Sequence, residues 1–154
     1  MLVEAYRNED DLLRKRLSQC PVPWRERPGP GGRPSLKEIL GHIAFWDDFT
    51  VEFFSRKLAS GAIAPPAPID FERMSREAKS RFGSLPYGEV LGRYLESTAA
   101  IIDFLAERWD DLSGRERHDL WTPLRHRRGH RLTIEAALER WVPEAELEAD
   151  AAEA

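Results

Sequence analysis

The chain has 154 residues, 42% of them hydrophobic and 32% charged, with 23 Lys and Arg against 27 Asp and Glu for a formal net charge of −4. That length suits one domain over residues 1–154, and five Trp and seven Phe make the chain too apolar and aromatic to be disordered. The mild negative charge argues against bulk electrostatic binding of nucleic acid. One cysteine, Cys20, rules out a disulfide framework or a Cys-rich zinc site. No apolar run approaches the ~20 residues of a membrane span, and the opening Met1-Leu2-Val3-Glu4 turns charged at once, unlike a signal peptide. A cytoplasmic setting, with no membrane partner, is the expectation.

In chain order, Leu2 to Gln19 predicts an amphipathic helix with Val3, Tyr6, Leu13 and Leu17 near helical spacing, ending before Pro21. Pro21 to Pro34 is rich in Pro and Gly and reads as a long loop anchored by Trp24. Ser35-Leu36-Lys37-Glu38 reads as a capping box, opening a helix that runs to about Ala59 and stops at Gly61. Phe71 to Phe82 predicts a short helix ended by Gly83. Pro86 opens another, running to about Trp109, with Tyr87, Leu91, Tyr94, Thr98, Ile101 and Leu105 stepping alternately four and three. Asp110 to Leu132 is polar and basic and reads as a connection. Thr133 is expected to cap a last helix with Ile134, Leu138, Trp141, Val142, Ala145 and Ala149 inward, kinked or broken at Pro143. No segment alternates as a strand does. The expectation is an all-α four-helix bundle with long first and last connections.

His42 is the most informative single residue. Steps of three and four place it with Ile39, Trp46, Phe49 and Phe53. It is a metal ligand or general base in the bundle core, or a buried imidazole satisfied by one hydrogen bond. Asp48 is expected to face water and Asp47 the edge of the seam. Cys20 is expected to be inert. Arg125 to Arg131 reads as an exposed basic loop, with a carboxylate or phosphate clamp as the alternative. His126 and His130 are four apart, but Gly129 and the flanking Arg disfavour a regular metal-binding helix, and cations oppose a dication.

The stretch Pro34 to Trp46, with its Ser-x-x-Glu-x-x-x-His-x-x-x-Trp pattern, resembles the second helix of the DinB / YfiT-like superfamily. The order of leading helix, long loop, His helix, seam helix and final amphipathic helix is similar over nearly the whole chain. The resemblance implies a helical bundle holding zinc or nickel on three His, one from the second helix and two from a His-x-x-x-His pair in the last. It also implies thiol transfer, isomerisation or hydrolysis of small molecules. His42 matches the first ligand. The register from Trp141 to Ala149 resembles the family's ligand helix with Ala145 and Ala149 in the ligand places. Glu144 and Glu148 are the substitutes that a helix rotation at Pro143 would bring in.

On this reading the metal site is degenerate and no metal is held tightly, because zinc sites use three protein ligands. Two alternatives stand beside the enzyme. One is a metal-free binding module whose small-molecule pocket is lined by Trp46, Phe49, Trp141, Ala145 and Ala149. The other is a scaffold, with a homodimer through helix faces as its partner. A titration with random duplex DNA or RNA is expected to show no tight binding. Sub-micromolar affinity that falls steeply with salt would overturn this.

Overall fold

The structure is a computed structural model that describes residues 1–61 and 69–153, with side chains described through Arg140. Among the described residues six α-helices follow in order: α1 Leu2–Gln19, α2 Leu36–Ser60, α3 Phe71–Gly83, α4 Tyr87–Arg108, α5 Gly114–Asp119 and α6 Trp121–Glu153. No strand occurs among the described residues. Four long helices, α1, α2, α4 and α6, form the bundle. α2 packs on α4, α1 on α6 and α4, and α6 on α2; α3 lies on α2, and α5 on α6. No described helix is long and apolar enough to cross a membrane.

Local chemistry sets the helix ends. The Ser35 hydroxyl accepts the Glu38 N–H at 3.2 Å and donates to the Glu38 carboxylate at 3.3 Å, which holds the first turn of α2. Gly61 terminates α2 in the left-handed conformation, with φ of 57°. The loop between α1 and α2 is pinned by Trp24, fully buried, whose indole N–H donates to the Pro34 carbonyl at 3.0 Å.

The seam of α4 is as its spacing predicts. Tyr94, Thr98, Ile101 and Leu105 are buried, and Tyr87 and Leu91 pack against the core edge. α3 comes close to α2 because position 41 is glycine: a Cβ there would stand 2.8 Å from the Cβ of Phe82. A side chain at 41 would push α3 off the helix that carries His42.

The C-terminal half departs from the sequence reading. Residues 121–132 are not a connection. They form the first third of α6, and Thr133 lies inside that helix, its hydroxyl donating to the Gly129 carbonyl at 3.0 Å rather than capping a terminus. α6 also runs on past Pro143.

The physical reason lies in what the arginines do. Leu120, Leu124, Arg127, Arg131, Ile134 and Leu138 step four, three, four, three, four, the same seam as α4 with two places held by arginine. Arg131 and Arg128 both pair with Glu9 of α1, itself buried. Arg131 also reaches Glu135 at 2.7 Å, which meets Arg16 of α1 at 2.9 Å. A glycine inside a helix costs about 1 kcal/mol, a cost that the ion pairs on either side of Gly129 act against.

Arg127 is fully buried. Its guanidinium pairs with Asp47 of α2, lies 3.6 Å from Asp10 of α1, and donates to the Thr98 hydroxyl of α4 at 3.1 Å. It stands over the rings of Tyr6 and Tyr94, which belong to the two apolar clusters of the core. Burial pushes the Asp47 carboxyl up to about 6, against the pull of Arg127, so it remains ionised at neutral pH.

Replacing Arg127 by Met leaves Asp47 buried with no counter-charge, and is expected to destabilise the fold by about 3–5 kcal/mol. Adding Asp47→Leu is expected to recover part of that loss, because Asp10 keeps Arg14 at 2.7 Å. Urea denaturation of the two variants checks both statements.

Candidate metal centre

Helix α2 presents two faces. Leu36, Leu40, Ile43, Asp47 and Phe54 point into the bundle core, while His42, Trp46, Phe49 and Phe53 lie along the neighbouring stripe. His126 and His130, one turn apart on α6, meet that stripe at His42. The Nε2 atoms of His42 and His126 are 2.9 Å apart, and those of His126 and His130 are 3.0 Å apart. One ligand nitrogen from each ring lies within 4.8 Å of the other two. The centroids of the three rings are 4.5–5.3 Å apart, and Trp46 closes the cluster edge-on to His42 at 6.3 Å.

This corrects the reading of Arg125 to Arg131 as an exposed loop. The His-x-x-x-His pair of the last helix is His126 and His130, not the positions of Ala145 and Ala149. The cations thought to repel a dication point elsewhere, Arg127 into the core and Arg128 and Arg131 onto Glu9. The expectation of no tightly held metal thereby loses its premise of two missing ligands.

Trp46 and Phe49 do line a cavity with His42. The side chains of Trp141, Glu144, Ala145, Glu148 and Ala149 lie outside the described residues. The fourth histidine, His118, is exposed and takes no part in the cluster. Asp48 faces water and Asp47 is buried. Cys20 donates from Sγ to the Arg16 carbonyl at 3.3 Å, and burial pushes its thiol up to about 12, so it is no nucleophile.

The three rings are half-buried, and this keeps them unprotonated. Burial lowers the pKa of His42, that of His126 to about 4 and that of His130 to about 3. For His126, the neighbouring His42 and Arg127 add to burial, and for His130 the two other rings do so. Neutral imidazole is the form that binds a metal.

The donor set also fits an ion by its geometry. A neutral imidazole nitrogen carries one proton or one lone pair, yet the Nε2 of His126 faces two other Nε2 atoms, so protons alone serve the trio poorly. Three nitrogens about 2 Å from a tetrahedral zinc stand about 3.3 Å apart, close to the 2.9 and 3.0 Å of the two Nε2 pairs, with all three nitrogens within 4.8 Å of one another.

Two cavities flank the cluster. One of about 480 Å³ opens on the His42 and His126 side, between Trp46, Phe49, Phe53, Phe54 and Phe71. One of about 300 Å³ opens on the His42 and His130 side, with Ile39, Ala78 and Phe82 in its walls and Lys37 and Lys79 beside them.

The family model of the DinB superfamily matches residues 5–146, nearly the whole chain. This protein belongs to the DinB superfamily. No curated protein and no solved structure gives a significant match. The chain draws its three histidines from two helices, and all three histidines lie within the matched span.

The lowered His pKa values make a signed prediction for the metal-free protein. The unfolded chain binds protons at His126 and His130 from about pH 6.5 downward, whereas the folded chain resists until about pH 4 at His126 and about pH 3 at His130. The unfolded state therefore holds more protons in that window, and stability falls as pH drops from about 6.5 towards 4. Denaturant midpoints across that range should fall less steeply in a His126→Gln, His130→Gln variant.

Proposed function

We propose that this protein is a metal-dependent enzyme acting on small molecules, with His42, His126 and His130 as the ligands of one divalent ion, zinc or nickel. The convergence of three neutral imidazoles at one point, between two cavities, carries this reading. Three protein ligands on a four-coordinate ion leave a position for substrate, the pattern of catalytic rather than structural zinc. When bound, such an ion supplies Lewis acidity and activates a thiol or water as nucleophile.

The chain's own residues provide the rest. The buried Arg127–Asp47 pair fixes α6 against α2, and with it His126 against His42. Trp46 and the neighbouring Phe rings give one side of the cluster an apolar wall. Thiol transfer and hydrolysis are the reaction classes that suit this arrangement. The metal-free binding module is the second reading, supported by the same aromatic cavity.

Metal analysis separates the two. Protein expressed with zinc or nickel and dialysed is expected to hold about one equivalent, and His126→Ala and His130→Ala each to lose most of it. Dialysed wild-type protein without metal would overturn the enzyme reading in favour of the binding module.

A further inference from the structure

The two cavities beside the histidine cluster differ in charge, and the difference bears on what each can take. The larger is walled by Trp46, Phe49, Phe53, Phe54 and Phe71. Their rings form a continuous series of contacts: Trp46 meets Phe49 edge-on at 5.6 Å and Phe71 at 5.5 Å, and Phe49 stacks on Phe53 at 5.9 Å. The one carboxylate in its lining is Asp119, at the end of α5, and no Lys or Arg lines it. Among the described residues no cation is paired with Asp119, and its side chain is exposed. The smaller cavity differs, with two cations, Lys37 and Lys79, beside one carboxylate, Glu38, in its lining.

Each feature of the larger cavity selects in the same direction. Flat apolar walls favour a planar ring, which packs offset or edge-on against them. Ring faces attract a cation and repel an anion. The Asp119 carboxylate, though exposed and screened by water, adds a negative charge at the same wall. A volume of about 480 Å³ exceeds what a two-ring molecule needs, so the ring can enter beside the histidines.

We propose that the chamber between α2, α3 and the start of α6 binds a planar aromatic small molecule that is neutral or cationic, its ring on Trp46 and Phe71 and any ammonium towards Asp119. Anionic aromatics are disfavoured there. The inference deepens the function proposed above, and rests on it for the role of the bound molecule as substrate at His42 and His126.

The test is calorimetric titration of the metal-free protein with 1-naphthylmethylamine, 1-naphthoate and cyclohexylmethylamine. The aromatic amine is expected to bind at one equivalent, about tenfold more tightly than the naphthoate or the saturated amine. Phe71→Ala removes an exposed ring, leaves the core intact, and is expected to weaken the aromatic amine several-fold. Asp119→Asn is expected to narrow the gap between amine and naphthoate. Naphthoate binding as tightly as the amine, no binding of either, or indifference to both substitutions would each overturn the proposal. Zinc content is measured separately, on each protein expressed with zinc and dialysed, before the metal is stripped for titration. Absent zinc with selective amine binding sinks the metal reading alone, and bound zinc without amine selectivity sinks this one alone.

Discussion

A guanidinium in the middle of a helical bundle organises this protein. Arg127 has no access to solvent, so its charge must be answered from within, and three helices answer it: Asp47 from α2, Asp10 from α1, and Thr98 with the Tyr94 ring from α4. Apolar contacts tolerate sliding by a turn. A buried ion pair does not, because a shift of a few ångströms leaves one charge unpaired. The pair therefore sets the register of α6 against α2, and it lies one residue from His126 and five from His42. The Nε of Arg127 has no partner among the described residues, so the network trades complete satisfaction for a fixed position.

The site is built on the flank of that fixed contact. α2 uses one stripe for the core and the adjacent stripe for His42, Trp46, Phe49 and Phe53, so the residues that hold the fold and those that face the cavities share a helix without sharing a side. Gly41 extends the arrangement to α3, whose Phe82 comes closer than any Cβ at position 41 would permit. α3 in turn supplies wall to both cavities, through Ser75 to each, Phe71 to one and Ala78 to the other.

Much of this was readable in the sequence, and the exceptions share a cause. The bounds of α1, α2, α3 and α4 follow from Pro21, the Ser35 cap, Gly61, Gly83 and Pro86, which are local signals. The resemblance of the Pro34 to Trp46 stretch to the DinB / YfiT-like pattern placed His42 and the family together. α6 was misread because its seam is not apolar where it matters. At Arg127 and Arg131 the inward places hold charges whose partners, Asp47, Asp10 and Glu9, lie on other helices, and hydrophobic periodicity cannot register a seam completed by long-range ion pairs. Gly129 added a local signal against helix that tertiary contacts outweigh. The His-x-x-x-His spacing of His126 and His130 was the available clue, and its weight was lost to the arginines around it.

Those same arginines explain how a histidine pair can sit in a basic stretch and still suit a cation. Over one turn of α6 the side chains fan around the axis, so residues adjacent in sequence point in different directions. Arg127 goes to the core, Arg128 and Arg131 turn towards α1, and His126 and His130 remain on the side facing α2. Each of these three arginines is paired with a carboxylate, so the local field at the imidazoles is set less by the run of positive charge than by burial. Burial disfavours the imidazolium, and crowding of three such rings disfavours it further. The fold thus holds three lone-pair donors together at the expense of their own proton affinity. A bare metal-free cluster of this kind gains little from internal hydrogen bonds, whereas a divalent ion would satisfy all three nitrogens at once.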